Sequence, residues 1–149
     1  MMEFTIVKMA GEHISSLAQI EKQCFSTPWS ENALNEELEN PHARFLIALC
    51  NGEVAGYIGA HNVVGEVYIT NVAVSLNYRR KGIAKALVDY LVALSISEGA
   101  EFVTLEVRQS NEGAKSLYEK AGFQVVGCRK DFYESPRESA ILMTKFLKD

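Results

Sequence analysis

The chain has 149 residues, enough for one domain with a core of its own. It is 48% hydrophobic and 23% charged, in the usual range of a water-soluble globular domain, and carries a formal charge of -4 at pH 7. That acidic balance, with a pI near 5.4, argues against a general nucleic-acid binder.

No stretch is long and apolar enough to span a membrane. Cys24, Cys50 and Cys128 are far apart and odd in number, and no CxxC or Cys/His spacing accompanies them. Neither a disulfide framework nor a metal site is expected. The opening "MMEFTIVKMAGEH" has no apolar run ahead of its charges, so no secretory leader and a cytoplasmic location are expected.

In chain order, "FTIVKMA" alternates and reads as a first strand. His13 to Cys24 has helical spacing through Ile14, Leu17, Ile20 and Cys24. "FSTPWS" is a loop; Ser30 then caps a second helix that runs to about Asn40, where Pro41 ends it. "RFLIALC", "NG" and "EVAGYIGAH" form a hairpin, because Asn-Gly accepts the positive φ of a type I′ turn. "EVYITNVAV" is the fourth strand.

A long helix from Gly82 follows, with Ile83, Leu87, Leu91 and Leu94 on one face. "FVTLEV" reads as a strand buried on both faces. Asn111 caps a helix through Ala121, and Gly122 stands at its C′ position. "FQVVGCRKDFY" and "SAILMTKFL" are the last two strands. The order β-α-α-β-β-β-α-β-α-β-β, without linkers or repeats, describes one α/β domain over residues 1–149: a mixed sheet with helices on its faces.

One segment breaks a local rule. Arg79, Arg80 and Lys81 stand directly before the helix that starts at Gly82. A helix start bears partial positive charge and free N–H groups, so it disfavours cations and favours anions. Two readings are open: a solvated basic loop, or half of an anion site in which backbone N–H groups and cations meet a phosphate. Neither a Walker motif nor GxGxxG is present.

The spacing R-x-x-G-x-A, through Arg79, Gly82 and Ala84, resembles the pyrophosphate-binding signature of the GCN5-related N-acetyltransferases (GNAT superfamily). The block "TLEVRQSNEGAKSLYEKAGF", Thr104 to Phe123, is similar to the same family. The resemblance implies a mostly antiparallel seven-stranded sheet, splayed between strands four and five and flanked by about four helices. It implies acetyl-CoA as acetyl donor, with no metal. The N–H groups of Arg80, Lys81, Gly82, Ile83 and Ala84 would hold the diphosphate. The backbone at Val72 and Val74 would pair with the pantetheine arm, one N–H polarising the thioester carbonyl. Asn111 would touch the cofactor, act as a plain N-cap, or do both.

Glu106 lies between Leu105 and Val107, where a carboxylate is costly unless paired or used. It is either an ion-pair partner of Arg108 on the same strand face or, as the resemblance implies, the general base. An α-amine, with pKa about 7.7–8.0, is partly neutral at pH 7, whereas a lysine at about 10.4 is hardly so; a lone carboxylate base therefore suits an α-amine better. Tyr118, two turns past Asn111, is either a core aromatic or the group that protonates or hydrogen-bonds the departing thiolate.

Within the superfamily, "CFSTPWSE", "LEVRQSNEGAKSLYEKAGF" and "RKDFYESPRESAILM" look like the RimI-type ribosomal-protein-alanine N-acetyltransferases. That likeness implies an N-terminal alanine acceptor on the eighteenth small-subunit ribosomal protein. It also implies an acceptor groove between the loop at Pro28 and Trp29 and the loop from Tyr133 to Arg137. Trp29 alternatively staples the second helix, and Tyr133 alternatively ends a strand. Ser139 stands where relatives often carry an acidic residue. Acetylation of another amine and a non-catalytic acyl-CoA-binding module are the competing expectations.

Overall fold

The computed structural model describes residues 3–134 and 136–148. The elements are β1 (Thr5–Lys8), a 3-10 turn (Gly11–His13), α1 (Ile14–Cys24), α2 (Glu31–Leu38), β2 (Leu46–Cys50), β3 (Glu53–Val63) and β4 (Glu66–Val74). A second 3-10 turn (Leu76–Tyr78) precedes α3 (Ile83–Ser97), β5 (Phe102–Arg108), α4 (Glu112–Lys120), β6 (Gln124–Glu134) and β7 (Arg137–Phe146). The strands form one sheet in the order β1-β2-β3-β4-β5-β7-β6. All neighbours are antiparallel except β4 and β5, which the α3 crossover makes parallel.

Local chemistry explains most boundaries. Asn51 and Gly52 take φ values of 51° and 81°, as a type I′ hairpin requires. The Ser30 hydroxyl accepts from the Ala33 N–H at 3.1 Å and starts α2. α2 stops at Leu38, with Glu39 as its C-cap, two residues short of the expected Asn40. The Asn40 carbonyl oxygen of the side chain takes the His42 N–H instead, so the chain turns before Pro41.

Two apolar layers sandwich the sheet. On one side α1 and α2 bury Ile14, Leu17, Ile20 and Leu34 against Ile47, Tyr57 and Ala73. On the other, α3 and α4 bury Ile83, Leu87, Leu91 and Tyr118 against Ile58, Val67, Val103 and Met143. Each such fully buried leucine or isoleucine contributes about 2 kcal/mol.

The feature that shapes the functional site is the parting of β4 from β5. They pair only from Glu66–Tyr68 against Phe102–Thr104. Beyond that, β4 stays with β3 as far as Val74, and β5 stays with β7 as far as Arg108. The cause lies at Thr70. Ala60 faces Ile69 and Gly59 faces Asn71, so Thr70 is an extra residue in β4. A bulge of this kind bends its strand and raises its twist. It also shifts the alternation, so Val67 and Ile69 join the α3 layer, and so do Val72 and Val74, while Ala73 joins the α1 layer.

β5 departs from the expected two-sided burial. Val103, Leu105 and Val107 are buried; Thr104 and Arg108 are only half-buried, and the residue Glu106 is less enclosed than these valines and leucine although its side chain is only 8% exposed. The strand borders the opening, so one of its faces has no helix over it. The expected loop from Tyr133 to Arg137 is also corrected. Tyr133 and Glu134 belong to β6 and pair with Glu138 and Arg137 of β7, and Ser135 lies outside the described residues.

Candidate active site

The opening between β4 and β5 lies at the C-terminal ends of two parallel strands, where α/β sheets commonly receive ligands. Its mouth is the start of α3. Gly82 is the N-cap, with φ 79°, and no side chain caps the helix. By contrast, α2 and α4 carry side-chain caps from Ser30 and Asn111. The first N–H groups of α3, from Ile83 on, therefore have no capping side chain. Arg80 also takes a positive φ, 63°, so the turn before the helix has two left-handed residues within three positions. A Cβ on Gly82 would meet nothing within 4 Å. The glycine thus serves backbone conformation and leaves open space over the helix start. These features fit an anionic diphosphate.

The three cations divide. Arg80 and Lys81 are exposed. Arg79 folds back: Nε donates to the Val74 carbonyl at 3.3 Å and Nη2 to the Cys24 thiol at 3.2 Å. The Cys24 Sγ also reaches the Val74 carbonyl at 3.6 Å. Arg79 thus ties the end of α1, the end of β4 and the turn together.

Val72 and Val74 lie on the part of β4 beyond its pairing with β5. The β5 side of that segment has no strand partner, which suits a ligand that pairs with backbone. Asn111 caps α4, its Oδ1 accepting from the Ala114 N–H at 3.0 Å.

Across the opening, Glu106 projects from β5 on the face away from α3, with its side chain only 8% exposed. Burial holds its carboxyl above the usual carboxylate range, and the Arg129 guanidinium, 4.0 Å away, opposes that rise. Arg108 is drawn elsewhere. It bonds the Pro136 carbonyl at 2.8 Å and Glu138 at 3.3 Å, and lies 4.3 Å over the Tyr133 ring. The cationic neighbour of Glu106 is therefore Arg129, not the Arg108 of the alternative reading.

Tyr133 is brought to Glu106 by an irregular stretch of β6. The register slips between Arg129 and Tyr133, with Asp131 at φ 53° and its N–H on the Ser139 hydroxyl. The Ser139 hydroxyl thus pins this bulge. The Tyr133 phenol is raised by burial first and by the Glu106 charge second.

Tyr118 is buried in the α3 layer, edge-on to Phe123 at 5.4 Å. Its hydroxyl bonds to no described residue, yet no fully sealed side-chain polar atom among the described residues lacks a partner. The Tyr118 oxygen is therefore not completely sealed. Burial pushes its pKa well above the ordinary tyrosine value, and the Tyr133 phenol adds to the rise. Glu106, Tyr133 and Tyr118 form a run of electrostatic neighbours.

Trp29 precedes the α2 cap and packs on Phe45, ring centroids 5.9 Å apart, at the edge of the α1 layer. Its backbone N–H donates to the buried Glu21 carboxylate at 2.8 Å. Sequence reasoning missed Glu21, Tyr57, Asn71, Arg129 and the role of Cys24. A signal existed for two of them. Glu21 falls four residues after Leu17 on an otherwise apolar stripe, and Asn71 interrupts the apolar run of β4.

Known proteins are similar to this chain in sequence and fold. The sequence model of the acetyltransferase (GNAT) family matches residues 14–123. A Bacillus subtilis (strain 168) protein named as a candidate ribosomal protein bS18-alanine N-acetyltransferase is 37% identical over 136 residues, 91% of this chain and 90% of that one. The Escherichia coli (strain K12) ribosomal protein bS18-alanine N-acetyltransferase is 30% identical over 141 residues, 93% and 95% of the two chains. The crystal structure of the ribosomal-protein-S18-alanine N-acetyltransferase from Escherichia coli superposes with a TM-score of 0.91 at 28% identity, covering 99% of this chain and 96% of that one.

Proposed function

This chain belongs to the acetyltransferase (GNAT) family and is an acetyl-CoA-dependent N-acetyltransferase; from that premise we propose that it acetylates the N-terminal alanine of ribosomal protein bS18, with Glu106 as base. The observation that carries the chemistry is the opening between β4 and β5, with the Glu106 carboxylate on one wall and the uncapped α3 start at its mouth. The acceptor reading is supported by chain-wide similarity to proteins named for it.

Acetyl-CoA supplies an activated thioester. The N–H groups from Arg80 to Ala84 hold its diphosphate, Arg80 and Lys81 attract it, and Asn111 lines the arm's path. The backbone of Val72 and Val74 pairs with the pantetheine, and an N–H there polarises the carbonyl. The acceptor peptide enters between Trp29 and Tyr133.

Glu106 takes the proton that the α-amine releases on attack, directly or through water. Its raised pKa makes it a better base than a solvated carboxylate. Tyr118 acts differently from a simple acid. A phenol raised by burial holds its proton more firmly than in water. It stabilises the departing thiolate as a hydrogen-bond donor, and the thiolate takes its proton from solvent on release.

The test is incubation of the purified chain with acetyl-CoA and a peptide that begins with alanine. Free thiol and one acetyl group on the peptide's N-terminal amine are expected. Coenzyme A binding without turnover on any amine would favour a binding module instead. Acetylation confined to lysine side chains would overturn the α-amine assignment.

A further inference from the structure

Behind the acceptor loop lies a buried polar cluster that the chemistry above does not use. Glu21 of α1 is 1% exposed. Its Oε1 accepts from the backbone N–H of Trp29 at 2.8 Å. Its Oε2 accepts from the Tyr57 hydroxyl at 2.6 Å and from Nδ2 of Asn71 at 3.2 Å. That same Nδ2 also donates to the Tyr57 oxygen, and the Asn71 Oδ1 accepts from the Thr70 hydroxyl at 2.6 Å.

A carboxylate this deep is expensive, and replacing such a cluster with apolar residues is often neutral or stabilising. Stability alone therefore does not account for such a cluster. The room for it is also built. Gly59 of β3 faces Asn71, and a Cβ there would lie 2.5 Å from Asn71 Oδ1 and 2.7 Å from the Phe45 ring.

The location supplies the reason. Trp29 stands in the loop before α2, on the acceptor side. Thr70 is the bulge that turns β4 away from β5, and Asn71 starts the segment that meets the donor. One carboxylate therefore holds both walls. We propose that Glu21 is a positioning residue that couples the acceptor loop to the donor strand, so that donor binding sets the loop at Trp29 in place for the amine. This rests on the acetyl-transfer reading above.

Glu21→Gln keeps the shape but turns one acceptor into a donor. That donor opposes the Asn71 amide, because Asn71 already offers its own N–H there. Trp29 is the chain's only tryptophan, so its emission reports the loop without any assay of activity. Coenzyme A added to the wild type is expected to change that emission. In Glu21→Gln the change is expected to vanish, with calorimetric affinity for coenzyme A kept within about threefold. kcat on the amine falls about tenfold or more, as for a small displacement of reacting groups.

Leu17→Ala, in the same helix and core layer, is the control for lost stability. It should retain both the emission change and kcat well below its melting point. Tyr57→Phe removes one donor and keeps the carboxylate; a smaller loss of both signals is expected, and this variant decides if Glu21→Gln does not fold. An unaltered emission change in either variant, or an equal loss in Leu17→Ala, overturns the proposal. If the wild type acetylates no amine, the acetyl-transfer reading fails on its own, while the emission of the bound and free forms still decides the coupling.

Discussion

The Arg79 guanidinium is hydrogen-bonded to the Val74 carbonyl at 3.3 Å, across the turn that joins β4 to α3. The first cation of the basic run is therefore held by the chain itself, while Arg80 and Lys81 are exposed. The two arginines should respond differently to truncation. Arg80→Ala is expected to weaken coenzyme A binding a few-fold at low salt, with the difference fading near 1 M salt, where the screening length falls to about 3 Å. Arg79→Ala should weaken it in a largely salt-independent way, because it loosens the turn. Calorimetric titration at two salt concentrations separates them.

Gly82 tests geometry against charge. A valine there must adopt φ near 79°, a strained value for a branched residue, at about 1–2 kcal/mol. Since a Cβ meets nothing within 4 Å, the domain should still fold. Gly82→Val is thus expected to remain cooperative in thermal melts yet lose coenzyme A binding, independent of salt. Wild-type affinity in this variant would show that the helix start does not hold the diphosphate.

Glu106→Gln should trade activity for stability. The folded-state carboxyl titrates above its unfolded value, so folding disfavours the charged form. The native protein is therefore penalised once pH exceeds the unfolded carboxylate value, and the penalty is absent below it. Glu106→Gln should then raise Tm at neutral pH, with the gain shrinking as pH falls through the carboxylate range. Its kcat/KM should drop about a hundredfold, the usual contribution of a general base. A lower Tm at neutral pH would mean that Arg129 stabilises the carboxylate more than burial penalises it.

For Tyr118→Phe, a kcat loss of about tenfold or more is expected, as for a hydrogen bond to a charged group worth about 1.5–3 kcal/mol. The hydroxyl bonds to no described residue, so Tm should hardly move. Affinity for acetyl-CoA should stay within about twofold, because the ring and its packing on Phe123 remain. Unchanged turnover would remove Tyr118 from the chemistry.

Asn111→Ala removes the α4 cap and should cost about 1 kcal/mol of stability. A fall in acetyl-CoA affinity beyond what that loss explains would show that the same side chain also touches the donor. Thermal melts and calorimetry on one preparation distinguish the two.

Much of this architecture was legible locally. The Asn51-Gly52 turn, the Ser30 and Asn111 caps and the C′ glycine at Gly122 follow from short-range backbone chemistry. The α3 stripe and the parallel crossover follow from periodicity and connection length. These rest on interactions between residues a few positions apart, so the order of letters determines them.

Distance in sequence marks what was not legible. Whether Glu106 faced Arg108 or Arg129 depended on where β6 slips its register. That Arg79 bonds the Val74 carbonyl and the Cys24 thiol depended on how the end of α1 comes to the turn. Glu21 and Asn71, fifty positions apart, meet only because the bulge at Thr70 and the missing side chain at Gly59 let them. The sequence alone determined the elements, their order and the residue types available to the site. The tertiary structure decided which charges are paired, which are buried and which face the opening, because burial and partnership are properties of packing between distant segments.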